Sequence, residues 1–478
     1  MSTSTSKTPR YYLALAAGKT AAAALKAARR NGGQVPGTVA EAICPDFLAR
    51  TPKPERVVFV TGTNGKTTTS NLLDDILLAC GFDLVTNRAG GNIITGIESS
   101  LIKNARMSGA PRRQVACMEL DELSSRRVLP HMAPDIMLVA NLYRDNFTRN
   151  ANPDYIFSVI DANIPASTHL ILNADDLISC RLAPQATHRT YFSIGHLEDD
   201  LEGPEGIVCD LTACPECGGA LEYDWCHLRH LGRAHCASCG FKNPEPDYLV
   251  TGVDKDAHEF TVRELCHAVD GKAPEFTYHI GTYSITNLYN LVSALVTARE
   301  LGVSAEELQH VLADGNVNIT AARFSEETVG GVRLVNTASK GENSTATSTA
   351  LATICREPGS KVVVLMLADY YLATNPKKTE FTGWYYQADF EYLADANVKQ
   401  VIVRGANSDD LLLRLLMVGI DPADIYMAKT EQEAADMVEL EGIEGVFCAY
   451  DIFNGDQASA FRERVAERIR ERMGEHGA

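Results

Sequence analysis

Apolar residues in this chain fall in short blocks at regular intervals. Val57-Val58-Phe59-Val60 is four consecutive β-branched or aromatic positions, the pattern of a strand buried on both faces. Similar blocks recur at Gln114–Met118, Ile136–Ala140 and His169–Leu172, with stretches of helical period between them. Strands that alternate with helices predict a mostly parallel sheet covered by helices on both faces. A second series begins at Val332. Its strands are expected at Val332–Val335, Lys361–Leu367, Val398–Val403, Ile425–Met427 and Gly445–Tyr450, and a helix over Asp456–Met473 closes it. Further helices are expected over Tyr11–Ala28, Val39–Phe47, Ser70–Cys80 and Ile285–Leu301. Gly32-Gly33 and Pro36 break the chain between the first two. The pattern divides the 478 residues into an N-terminal helical segment (1–54), a central α/β domain (55–322) and a C-terminal α/β domain (323–478).

The first strand runs straight into GTNGKTTT, Gly62 to Thr69. Strand, glycine turn and helix together point backbone N–H groups and a helix N-terminus at a phosphate. The glycines let the main chain approach closely, Lys66 supplies charge for the outer phosphates, and a threonine hydroxyl can hold magnesium. The full Walker pattern has glycine five positions before Gly65, where Val60 stands, so this is a shortened loop. Thr63, Asn64, Gly65, Lys66, Thr67 and Thr68 are the expected nucleotide contacts. Ligands of such sheets sit beyond the carboxyl ends of the strands. Three polar groups fall there: Glu119, Asp121 and Glu122; Asn141, Arg144 and Asp145; Asn173, Asp175 and Asp176. A carboxylate at such a point can hold the magnesium of a nucleotide; for any one of them alone, a helix cap is the competing role.

Cys214-Pro-Glu-Cys217 and Cys236-Ala-Ser-Cys239, eighteen residues apart and each followed by glycine, have the spacing of a structural zinc ribbon. The ribbon is expected as an insertion over about 209–245, because the strand pattern resumes after it. Cys226, His227, His230 and His235 lie between the knuckles as substitute ligands, and a closed four-thiolate site has no position for catalysis. Thirteen cysteines without a secretory signal fit a reducing cytoplasm. A net charge of −18 argues against non-specific nucleic-acid binding. Tyr11–Ala28 is alanine-rich but interrupted by Lys19 and Lys26, too polar to span a bilayer. It reads as a helix lying on the protein or on the inner face of the membrane, with an ordinary solvated helix face as the competing role.

GTNGKTTT, the carboxylates after the next strand, NLYRD and NLYNLVSAL together resemble the Mur ligases and folylpolyglutamate synthases. Within that group the chain is most similar to the MurT family. The similarity lies in NRAGGNIITGI at Asn87–Ile97, ELDE at Glu119–Glu122, NLYRDNFTRN at Asn141–Asn150, LNADD at Leu172–Asp176, the four-cysteine insertion and GWYYQADFE at Gly383–Glu391. The resemblance implies a Mur-ligase-like central domain, a smaller Rossmann-like C-terminal domain, and ATP-driven ligation of an amine to a carboxylate through an acyl phosphate. It implies lipid II as substrate, amidated on the α-carboxylate of its D-glutamate, and a GatD-like class I glutaminase as the partner supplying ammonia. The chain itself has no cysteine in a G-x-C-x-G elbow. By position, the resemblance gives Lys66 and Thr67 the ATP phosphates and magnesium, Glu119 the magnesium side, Asn287 the adenine and Arg323 the nucleotide. The family's K-N-P-A-G-x-N stretch is NTASKGEN here, keeping Gly341 and Asn343. Ala373 stands where a loop aspartate is expected, leaving Asp369 as the neighbouring candidate. The alternatives are a Mur-type ligase for another carboxylate or amine, and an ATP-binding paralogue without catalysis.

Overall fold

The computed structural model describes residues 7–30, 32–88, 90–145, 152–281, 283–315, 317, 324–339, 341–367 and 381–474. Arg323 and Asp369 lie outside them. The chain forms two compact units that divide chiefly at residues 319 and 320.

The first unit is built on nine strands: β1 (Arg56–Thr61), β2 (Leu84–Val85), β3 (Val115–Glu119), β4 (Ile136–Val139), β5 (His169–Asn173), β6 (His188–Ile194), β9 (Tyr248–Asp254), β10 (Glu259–Glu264) and β11 (Glu275–His279). Their order in the sheet is β11-β10-β9-β6-β5-β4-β1-β3-β2. β1 pairs in parallel with β3 on one side and β4 on the other, with Val60 level with Glu119 and Thr61 level with Val139. The chain visits β2 and β3 on one flank of β1, then crosses to β4 on the other. That reversal opens a crevice at the carboxyl end of β1, and the glycine loop starts there.

Successive residues of a strand face opposite ways. Val58 and Val60 join the core shared with Leu72, Leu73 and Ile76 of the Lys66–Ala79 helix and Leu291, Val292 and Leu295 of the Ile285–Glu300 helix. Val57 and Phe59 join the opposite core with Ile97, Leu101, Met118 and Met137. Each such side chain contributes about 1.5–3 kcal/mol by burial, so β1 is held from both faces and its end is a fixed platform. β7 (Leu221–Leu228) and β8 (Leu231–Cys236) form a separate hairpin between β6 and β9, which are themselves neighbours in the sheet. The hairpin is therefore inserted into an intact sheet.

At the N-terminus the Pro9–Ala27 helix is capped by Thr8, and Tyr11 stacks on Phe47 at 5.2 Å. The expected Val39–Phe47 helix is instead two, Val35–Ile43 and Phe47–Arg50. Pro36 opens the first of these rather than breaking the chain, because the first helical turn has no use for the missing N–H. The second unit carries β12 (Phe324–Val329), β13 (Val332–Ser339), β14 (Lys361–Met366), β15 (Val398–Arg404), β16 (Ile425–Ala428) and β17 (Gly445–Asp451), ordered β12-β13-β17-β14-β15-β16. All neighbours are parallel except the β12–β13 hairpin.

Candidate active site

The glycine loop folds as its sequence demands. Gly65 sits at φ +78°, and a Cβ there would meet Asn290 Oδ1 at 2.2 Å, so only glycine fits. From Lys66 the chain turns into helix, leaving the first-turn N–H groups facing the crevice. The loop is tied to the strand beside it. Asn64 N–H donates to Asn141 Oδ1 at 2.9 Å, and Asn141 Nδ2 returns a bond to Asn64 O at 3.0 Å. Thr63 Oγ1 donates to Tyr143 O and accepts from Tyr143 N, both at 3.0 Å. Asn141 and Thr63 thus hold the loop's shape, while Thr68 is half-buried on the helix.

Two carboxylates from the end of β3 meet the loop. Lys66 Nζ lies 2.7 Å from Glu122 Oε1, and both side chains are under a tenth exposed. Glu119 Oε2 accepts from Thr67 Oγ1 at 2.9 Å, and its Oε1 accepts from Asn92 Nδ2 at 2.7 Å. Asn87 brackets the Glu119 backbone, accepting from its N–H and donating to its carbonyl, both at 2.8 Å. Two hard oxygens side by side, one a carboxylate, suit magnesium. Lysine and the helix N-terminus are groups that could hold an anion, and the neighbouring Thr67 and Glu119 oxygens are groups that could hold a cation. Glu122, Asn92 and Asn290 had roles that spacing did not reveal. Asn92 sits on a segment that returns to β3 only through the fold, although NRAGGNIITGI already contained it.

The polar group after β5 has a different task. Asp175 accepts from Ser193 Oγ at 2.6 Å, Ile194 N at 2.9 Å and Tyr289 Oη at 2.8 Å. Asp176 accepts from Leu142 N at 2.7 Å, Ile178 N at 2.9 Å and His230 Nε2 at 3.0 Å. Burial pushes the Asp176 carboxyl up, but the His230 and Ile178 bonds outweigh it and hold it below the ordinary range. These carboxylates fasten the sheet and the inserted hairpin. Asn287 stands in the first turn of the Ile285–Glu300 helix, its N–H capped by Ser284 Oγ at 3.1 Å.

In the insertion, the Sγ atoms of Cys214, Cys217, Cys236 and Cys239 lie within 4.8 Å of one another. Two pairs are 3.6 and 3.5 Å apart. Tetrahedral thiolates at the usual zinc–sulfur distance stand about 3.8 Å apart, so the four fit zinc. His227 and His230, between the knuckles, are turned away. His227 bonds Asp200 at 2.6 Å and Ile194 O at 3.0 Å, and His230 bonds Asp176. They dock the hairpin onto the sheet.

In the second unit, the two retained positions of NTASKGEN have geometric reasons. Asn343 Oδ1 caps the Ser344–Arg356 helix through Ala346 N at 2.8 Å. A Cβ on Gly341 would strike Asp451 Oδ2 at 2.3 Å.

Comparisons with known proteins agree with this geometry. Residues 341–450 match the family model described as MurT ligase C-terminal. A lipid II isoglutaminyl synthase (glutamine-hydrolyzing) subunit MurT from Staphylococcus aureus is 29% identical over 431 residues, covering 88% of this chain and 92% of that protein. The subunit of the same name from Streptococcus pneumoniae is 28% identical, covering 92% and 93%. Among solved structures, a pseudomurein peptide ligase type C from Methanothermus fervidus superposes with a TM-score of 0.60 at 17% identity, covering 88% of this chain and 81% of that one. MurF ligase from Thermotoga maritima in complex with ADP gives 0.55 at 14% identity, covering 91% and 85%. At these identities the structures speak for the fold, a Mur-ligase fold.

Proposed function

We propose that this chain, a homologue of the MurT subunits over nearly its whole length, is the ATP-dependent ligase subunit of a lipid II isoglutaminyl synthase. It amidates the α-carboxylate of the D-glutamate in the lipid II stem peptide. The observation that carries the reading is the loop itself: a buried lysine and a first-turn threonine, each already facing a carboxylate at the end of a central strand.

In this reading the β- and γ-phosphates of ATP settle on the first-turn N–H groups and take Lys66 from Glu122. Thr67 and Glu119 would hold magnesium, which neutralises phosphate charge when bound. The substrate carboxylate oxygen attacks the γ-phosphorus, the bond to the bridging oxygen breaks, and ADP leaves. Ammonia then attacks the acyl carbon, inorganic phosphate departs, and the amide remains. Lys66 lowers the barrier by facing charge that builds on the transferring phosphoryl group. The ammonia comes from a GatD-like glutaminase subunit. Asn287 and Arg323 are assigned to the nucleotide, and Asp369 is assigned a catalytic role. The cysteine ribbon binds zinc and shapes the unit without entering the chemistry.

Mass spectrometry of lipid II after incubation with this chain, a GatD-like glutaminase, ATP and glutamine tests the reading. Conversion of the stem carboxylate to the amide is expected. ATP hydrolysis with the carboxylate left free would overturn the substrate assignment.

A further inference from the structure

We propose that the face formed by the N-terminal helix and the segment 103–113 docks onto an anionic phospholipid surface. Residues 1–40 hold six cations and no carboxylate, and residues 99–118 hold four cations and again no carboxylate. The other 418 residues carry 34 cations against all 62 carboxylates. Such a separation of charge in an acidic chain marks out one surface for a negative partner.

The fold brings the two stretches together. Lys7 Nζ donates to Ser108 O at 3.1 Å, and Lys19 Nζ donates to Ile102 O at 2.9 Å and to Ala105 O. Gly109 packs so closely on Tyr11 that an added Cβ would lie 2.6 Å from its hydroxyl. Lys7, Arg10, Lys103, Arg106 and Arg112 are all exposed. Apolar side chains stand among them: Met107 is 66% exposed, Leu13 62% and Tyr12 42%. The helix's own packing does not need these. Tyr11, Ala14 and Leu15 already fill that role against Phe47, Cys44 and Ile102.

Cations around exposed apolar side chains on a helix lying flat are the physical features of an interfacial segment. Leu13 and Met107 favour a partner with acyl chains beneath its charge over one that is merely acidic. No described helix is long and apolar enough to cross a membrane, so the contact is peripheral. The inference extends the proposed function, whose substrate is carried on a lipid, but its test needs neither nucleotide nor substrate, so the two can fail separately.

The full chain would be sedimented with phosphatidylglycerol-containing vesicles and with neutral phosphatidylcholine vesicles. Binding to the first alone, released by high salt, is expected. Each charge near the surface is worth about fivefold in partitioning. The triple variant Lys103→Gln, Arg106→Gln, Arg112→Gln should lose more than tenfold with its melting temperature unchanged. The variant Leu13→Ser, Met107→Ser should weaken binding without altering its salt dependence. Equal binding to both vesicle types, unchanged binding by both variants, or capture only by an acidic partner subunit would overturn the proposal.

Discussion

The glycine loop and the cysteine ribbon both advertise themselves by local spacing, yet the fold treats their chemical groups oppositely. In the loop, each reactive group already has a protein partner: Lys66 has Glu122, and Thr67 has Glu119. In the ribbon, four thiols lie within 4.8 Å of one another, two pairs of them 3.5–3.6 Å apart. The loop can therefore hold its shape with nothing bound and exchange partners when phosphate arrives. The ribbon cannot carry four thiolates at that spacing without a cation to neutralise them. The loop's groups suit an exchangeable anion, and the ribbon's four thiols suit a resident metal.

The largest effect should follow from breaking the loop's internal pair. Lys66→Ala should cut ATP turnover by about 10²–10³-fold. It should also destabilise the unit by roughly 3–5 kcal/mol, because the buried Lys66–Glu122 ion pair is broken. Adding Glu122→Gln should restore the melting temperature but not the turnover. If the double variant melts as low as the single one, the pairing is not what holds this loop.

Much of that loop was legible in the sequence because its determinants are contiguous: strand, glycine turn, lysine and threonine follow one another from Val57 to Thr69. Nine expected strands exist; the most legible, β1, β4 and β14, are blocks of consecutive apolar residues with both faces buried. β9 to β11 were not read because they form an antiparallel extension with polar positions on one side. The partners of the loop were harder still. Glu122 and Asn92 reach it only through tertiary structure, and the carboxylates after β5 looked equivalent to those after β3 until their hydrogen bonds were seen.

The ribbon should respond next most strongly, and to a different insult. Cys236→Ser should abolish stoichiometric zinc and make the β7–β8 hairpin open to protease, with nucleotide affinity unchanged. Metal analysis and limited proteolysis check this. A protein that keeps its hairpin protected without metal would put the ribbon in the same class as the loop.

A smaller effect bears on how the ribbon's hairpin is docked on the sheet. Burial presses the His227 imidazole down, but the bond to Asp200 and the Asp175 charge outweigh it, so its pKa lies above the ordinary value. With both ring nitrogens facing acceptors, the charged form is the one the fold prefers. A raised histidine pKa contributes stability that is full below about 6.5 and is lost as pH rises through the folded value. Melting measured against pH should fall through that window, and His227→Gln should flatten the fall. An unchanged profile would mean that the hairpin is docked by other contacts.

Calorimetric titration of the folded chain with ATP and magnesium tests the central claim most directly. One nucleotide bound per chain, with the binding lost in Lys66→Ala, is the predicted result. A wild-type chain that gives no binding heat at any temperature tried, and competes for no nucleotide probe, would contradict it.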